Sequence, residues 1–321
     1  MRGCGMALLL AVGAWDGRGQ GAPEPPPAPL PEGDRGIAAK YPGDAGIGRD
    51  PAVLLHDDFE SGNLRGKWDN VFHDSCIRMA EEAGNVHGGR RSLEFTVPQQ
   101  EAELSNCAAK QLKVERDVLF LRYYSRFETG FDQVGSSHNG AEISAHYAEG
   151  GRATPGIPAN GRNKFLATFE NWRGEAATPS PGHLNIYCYH PEQRSGYGDH
   201  FFPSGKVLPQ GRQGRDVFGP HFVRRPDAVP ELGRWYCYEF MVKANAVGRR
   251  DGRIACWVDG KLIADFPNLR LRDVETLKID HFGIGLHIKS NRARPNKKWY
   301  DDVVAATSYI GPMAGARRGN R

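Results

Sequence analysis

Apolar side chains recur at every second position in stretch after stretch of this chain, and no segment sustains the 3.6-residue period of an amphipathic helix. His183–Tyr189 (HLNIYCY) shows the pattern most clearly: Leu184, Ile186 and Cys188 fall on one side of an extended strand, and His183, Asn185, Tyr187 and Tyr189 on the other. Leu119, Leu121, Tyr123 and Phe127 alternate in the same way with Phe120, Arg122, Tyr124, Arg126 and Glu128. Ile143, Ala145 and Tyr147 alternate with Glu142, Ser144 and His146, and Phe282, Ile284, Leu286 and Ile288 with His281, Gly283, Gly285, His287 and Lys289. Arg234–Asn245 and Gly252–Phe266 read as further strands, the second a hairpin turning at Asp259-Gly260. The 40 glycines and 22 prolines supply the turns that so many short strands need. A sequence of this kind folds as one all-β domain, a sandwich or jelly roll, here expected over residues 53–313.

The ends read differently. Residues 1–15, with Arg2 ahead of the apolar run Met6–Val12, have the form of a secretory signal peptide. Residues 16–52 are rich in Pro and Gly and are expected to form a linker, and residues 314–321 a disordered basic tail. The expectation is therefore a secreted or periplasmic protein, monomeric and without a membrane span, since no later run approaches spanning length. Six cysteines would leave five after cleavage. Cys76 with Cys107, or Cys237 with Cys256, are candidate bridges, while Cys188, Cys237 and Cys256 also read as small buried hydrophobes within strands. The net charge of +4 is too weak to call for nucleic acid but suits an anionic polymer.

DDFESGNLRGKW near the start, GRWYCYEFMVKAN with WVDGKLIADFPNL, and WYDDVVAATSYIGP near the end resemble the concanavalin A-like jelly-roll group. More narrowly, the chain is similar to the β-jelly-roll polysaccharide lyases of the alginate- and glucuronan-lyase types. The resemblance implies two curved antiparallel sheets, a concave sugar-binding face, and cleavage of an anionic uronate-containing polysaccharide by β-elimination. That chemistry requires a group to neutralise the uronate carboxylate, a base for the C5 proton and an acid for the departing O4.

On the alternating polar face, His146 is the candidate base, Tyr187 the acid, and Arg126 and Asn185 the carboxylate neutralisers. Arg122, Tyr124, Asn139, Glu142, Ser144, Arg162, Lys164, Tyr189, His287 and Lys289 are the candidate substrate-binding residues. The group's Gln-x-His strand reads Ser144-Ala145-His146 here, with Asn139 upstream as the replacement amide. Arg212, Arg215, Arg224 and Arg225, in the long Pro203–Gly233 segment, are candidates for a basic lid. Two other functions fit the same face. One is a lectin-like carbohydrate-binding protein, and the other a glycoside hydrolase using Glu142 and Glu170. No cofactor is required for catalysis on this reading. Asp58 and Asp302, at the first and last strands, are candidate ligands of a structural calcium.

Overall fold

The alternating stretches form strands, and the computed structural model describes residues 26–135, 137–149, 152–209, 211–289 and 294–315. The expected leader, the start of the expected linker and the end of the tail lie outside the described residues. The first strands are β1 Val53–Asp57, β2 Asn70–Phe72, β3 Ile77–Ala80, β4 Ser92–Val97, β5 Leu104–Arg116 and β6 Val118–Phe127. Next come β7 Ser137–His138, β8 Ala141–Ala145, β9 Ala148–Glu149, β10 Arg152–Ala153, β11 Phe165–Trp172, β12 His183–Tyr189, β13 Asp199–Phe201 and β14 Val207–Leu208. A single turn of helix, α1 Arg215–Phe218, precedes β15 Tyr236–Lys243, β16 Gly252–Val258, β17 Lys261–Leu269, β18 Ile279–Ile288 and β19 Asn296–Ala306.

Two antiparallel sheets make a jelly-roll sandwich. Sheet I runs β17-β16-β15-β6-β19-β4-β3, with β1 on β19; sheet II runs β14-β13-β12-β11-β8-β18-β5-β2, with β7 on β18. The apolar set of each alternating strand enters the space between them: Leu119, Leu121 and Tyr123 from sheet I meet Ile143, Phe169, Ile186 and Phe282 from sheet II in one cluster. The Asp259-Gly260 turn has both residues at positive φ, as a two-residue hairpin demands.

The expected linker is not a linker over its described part. Residues 26–52 lie across the outer face of sheet I and bury Ile37, Ala38 and Ile47 against Phe120, Met241, Trp257 and Tyr309. Each fully buried isoleucine is worth roughly 1.5–3 kcal/mol, enough to hold a segment without regular structure. The backbone joins in: Trp257 Nε1 donates to Pro31 O at 2.9 Å, and Gly33 N donates to Gly260 O at 2.8 Å. Gly36 must be glycine, because a Cβ there would sit 2.1 Å from the carbonyl oxygen of Ile310. Pro- and Gly-rich composition signals lack of helix and strand; it does not exclude a strap pinned by a few apolar anchors.

The segment expected as a basic lid is also built into the sandwich. Phe218 of α1 and Phe222 stack into the core on Phe266, with ring centroids 4.8 and 6.2 Å away. The five cysteines from Cys76 onward are all free, so neither candidate bridge forms.

Candidate functional site

The face of sheet II turned away from the core carries the chemistry. Antiparallel register places Asn185 opposite Glu170, Tyr187 opposite Thr168, and Tyr189 opposite Leu166. It also places Glu142 opposite Thr168, and His138 opposite His287. Five strands, β7, β8, β11, β12 and β18, thus deliver His, Glu, Asn and Tyr side chains to one patch.

At its centre is a His–Glu pair. His138 Nδ1 lies 2.8 Å from Glu170 Oε2, with Glu170 fully enclosed and the His138 side chain 36% exposed. Gly140 makes this approach possible, since a Cβ there would stand 1.8 Å from the carbonyl oxygen of Phe169, the residue before Glu170. Asn139 secures the corner by using its side chain as a strand would use its backbone: Oδ1 accepts from Asn171 N at 2.9 Å and Nδ2 donates to Asn171 O at 3.1 Å. Burial works against the charged imidazole of His138, but the charge and hydrogen bond of Glu170 outweigh it and hold its pKa above the ordinary histidine value. Burial likewise raises Glu170, with His138 opposing, so the pair as a unit keeps its proton more tightly than a free imidazole. With Nδ1 engaged, Nε2 is the His138 nitrogen left for a ligand.

Aromatic rings and two further histidines wall this pair. The Tyr187 ring centroid is 4.6 Å from that of His138 and 4.9 Å from that of His200. Tyr187 Oη accepts from Gly198 N at 3.0 Å, which fixes the phenol, and burial raises its pKa far enough to keep it protonated. Asn185 Oδ1 lies 2.9 Å from His200 Nδ1, so that nitrogen carries the proton. Burial, with His138 adding to it, pushes His200 down to about 3 and keeps the ring neutral. Trp172 lies over His200 at 4.5 Å. His287 is 5.4 Å from His138 and is pushed down to about 4, chiefly by burial.

One flank is closed by a lysine in an aromatic cage. Lys164 Nζ lies 4.7 Å from the Tyr147 ring and 4.6 Å from the Tyr189 ring, and donates to Thr154 Oγ1 at 2.7 Å. Burial pushes this amine down to about 8. On the other flank, His281 Nδ1 faces both Glu142, at 3.6 Å, and Ser144 Oγ, at 3.4 Å. Because one nitrogen meets both groups, the trio cannot relay a proton from Ser to Glu.

Measured against the sequence reading, Tyr187, Glu142, Ser144, Lys164, Tyr189 and His287 come together on this face. Asn185 is there too, but its amide is committed: Nδ2 donates to the carbonyls of Glu170 and His183, and Oδ1 holds His200. Asn185 therefore orients His200 and has no amide group to spare for a carboxylate. Asn139 is buried in the strand corner rather than facing a ligand. Arg162 lies in the exposed turn before β11 and Lys289 at the exposed end of β18.

His146 is not in the patch. β8 ends at Ala145, and His146 takes φ 49°, a left-handed conformation that breaks the alternation. Its Nε2 lies 3.1 Å from Glu115 Oε1, and Tyr147 reaches the Tyr189 ring in its stead. Arg122, Tyr124 and Arg126 alternate as expected but belong to sheet I, on its outer face. Arg122 is fully buried on Asp44 and the Asp302 carbonyl; Tyr124 Oη accepts from Met313 N at 2.9 Å; Arg126 Nε donates to Gly233 O at 2.8 Å. The Asp58 and Asp302 pairing has other partners as well. Asp302 bonds His87 Nδ1 at 2.7 Å, Asp58 caps Glu60 N at 3.3 Å, and among the described residues no group of three or more His, Cys, Asp or Glu side chains is arranged to hold a metal.

Sequence reasoning missed His138, and His200 went unassigned. A signal for His138 was present: it shares the parity of Glu142 and Ser144. The Asn139-Gly140 dipeptide, which reads as a turn, concealed it.

No protein-family model and no curated protein sequence matches this chain. Solved structures do match. The alginate lyase Aly36B in complex with an alginate tetrasaccharide aligns with a TM-score of 0.54 at 18% identity, over 81% of this chain and 95% of that one. The endo-β-1,4-glucuronan lyase of the fungus Trichoderma reesei aligns at 0.52 and 17%, over 80% and 96%. An alginate lyase from a Chlorella virus aligns at 0.52 and 13%, over 80% and 100%. The sandwich is thus the fold of these jelly-roll lyases; at such identities the likeness is one of fold.

Proposed function

We propose that this protein is a polysaccharide lyase that cleaves a uronate-containing glycan by β-elimination, on the outward face of sheet II, outside the cytoplasm. The observation that carries the reading is the His138–Glu170 pair, 2.8 Å apart, with Tyr187 packed beside it. His138 Nε2 takes the C5 proton, and the C–H electrons form the C4=C5 double bond. The C4–O4 bond breaks, and the leaving oxygen takes the proton of Tyr187. Both side chains then return to their starting states by exchange with solvent. Glu170 holds the imidazole in the required tautomer, as an acidic partner does for a catalytic histidine elsewhere. Lys289, exposed at the end of β18 beside His287, supplies positive charge to meet a uronate carboxylate. The fold shared with alginate and glucuronan lyases supports polyuronates as the substrate class.

His138 must be neutral to act as base, and its pKa lies above the ordinary value, so turnover should rise with pH on the alkaline side of a free histidine. The test is incubation with alginate, glucuronan and related polyuronates while following the ultraviolet absorbance of the unsaturated product. His138→Ala should lower turnover by roughly 10²–10⁴-fold and Tyr187→Phe by about 10²-fold, with glycan retention preserved in both. Retention on a glycan column with neither absorbance nor new reducing ends would make the face a lectin site. New reducing ends without the absorbance would point to hydrolysis.

A further inference from the structure

The outward face of sheet II continues past the His138–Glu170 pair. Strand register sets His287 of β18, His138 of β7, Glu170 of β11 and Asn185 of β12 in one row across the sheet. The row goes on through His200 of β13, held by Asn185, to Phe202, whose ring centroid is 6.5 Å from that of His200. Phe202 N donates to Lys206 O at 2.9 Å, and Lys206 Nζ stands 5.3 Å from the Phe202 ring at the entry to β14. Trp172 flanks this end of the row, its ring centroid 4.5 Å from that of His200.

Both polar groups at this end lack a partner in the chain. Lys206 is exposed, and among the described residues no carboxylate or carbonyl receives its ammonium. Asp227, an acid that reaches the same turn, is occupied by Ser204, whose N and Oγ each donate to it at 2.9 Å. Trp172 is half-buried, and among the described residues nothing accepts from its indole N–H. Gly174 leaves that edge of the ring open, since a Cβ there would stand 3.2 Å from Nε1. A tryptophan so placed offers a flat apolar ring with a polar tip, which suits the apolar face of a sugar. β14 lies three strands beyond β11, so Lys206 is about 14 Å from Glu170 at the usual strand spacing. That is too far to serve the sugar whose C5 proton faces His138.

We propose that Trp172 and Lys206 form a distal subsite for a further uronate of the same glycan, the sugar ring lying against the indole and its carboxylate meeting the ammonium. The inference rests on the reading of this face as a polyuronate cleft. Lys289 is exposed at the β18 end of the row and Lys206 at the β14 end. The two cations bracket the His138–Glu170 pair, so an anionic chain that meets both runs across the strands rather than along them. Such a cleft holds several sugars and favours a polymer over a short fragment.

The test titrates alginate and glucuronan hexasaccharides, and their carboxyl-reduced forms, into the full chain carrying His138→Ala, which keeps bound oligomers intact. Adding Lys206→Gln should weaken the charged hexasaccharides by roughly two- to fivefold, and Lys206→Glu by more, with the carboxyl-reduced forms bound as before. The salt dependence of binding should fall with the lost charge. Adding Trp172→Ala should weaken charged and reduced forms alike, by about tenfold. Trp172 packs on His200, so the exposed Lys206 carries the decision: unchanged affinity for the charged hexasaccharides in Lys206→Gln and Lys206→Glu overturns the proposal, whatever happens at Trp172. The measurement needs no turnover. Lys206-dependent binding in a protein whose wild type releases no unsaturated product would remove the lyase reading and leave the subsite standing. Release of that product with binding indifferent to Lys206 would do the reverse.

Discussion

The outer faces of the two sheets present the same residue types in the same alternation, yet only one is available to a ligand. On sheet I, the outward polar side chains Arg122, Tyr124 and Glu239 are met by covering chain. Arg122 meets Asp44 of the strap, Glu239 accepts from Ile310 N at 2.7 Å and Gly311 N at 2.8 Å, and Tyr124 meets Met313. On sheet II the polar groups answer one another, His138 with Glu170 and His200 with Asn185, and the pairs leave ring nitrogens for something else. A face rich in Arg, Tyr and Glu is thus a functional surface only where no other part of the chain satisfies it. The difference lies in what covers each sheet, since the strand pattern is shared.

Arg122→Ala should give the largest effect. It leaves Asp44 buried without its partner, so denaturant melts should show a loss of about 3–5 kcal/mol, while turnover per folded molecule stays unchanged. Lost turnover at full stability would bring the outer face of sheet I into the site and collapse the contrast. A smaller, pH-dependent effect is expected at Glu239, which burial pushes up to about 7 in spite of its two backbone donors. Its folded pKa lies above the unfolded one, so its contribution to stability is fully present below the ordinary carboxylate range and is lost as pH rises through about 7. Melts from about pH 5 to about pH 8 should fall along that slope, and Glu239→Gln should flatten it. The smallest effect belongs to His146→Ala. With its ring outside the patch and its partner Glu115 half exposed, stability should stay within about 0.5 kcal/mol and turnover at the wild-type rate. A large loss of turnover there would restore His146 as the base and displace His138.

The fold was legible because period-two patterning repeats in almost every strand, and the Asp259-Gly260 turn was legible because two-residue hairpins need positive φ. Tyr187, Glu142, Tyr189 and His287 were legible as one face because their strands continue the pattern without interruption. His146 misled because a single left-handed residue shifts parity, and nothing in its neighbours' side chains announces that. Arg122 and Arg126 misled for another reason: alternation says which side of a strand a residue occupies, but not which sheet the strand joins. The strap escaped notice because Ile37 and Ile47 are isolated apolar residues in a Pro- and Gly-rich segment, and they become anchors only against Trp257 and Met241.

By itself, then, the sequence determined the strands, their apolar sides and the all-β class, because these follow from local periodicity and the burial of alternate side chains. Tertiary structure alone decided which polar face would be covered and which left open. It also brought His138 and Glu170 together from two strands apart in the chain. Those outcomes depend on strand order and on close approaches such as Gly140 on the Phe169 carbonyl, distances set by the packing of two sheets that no local pattern encodes.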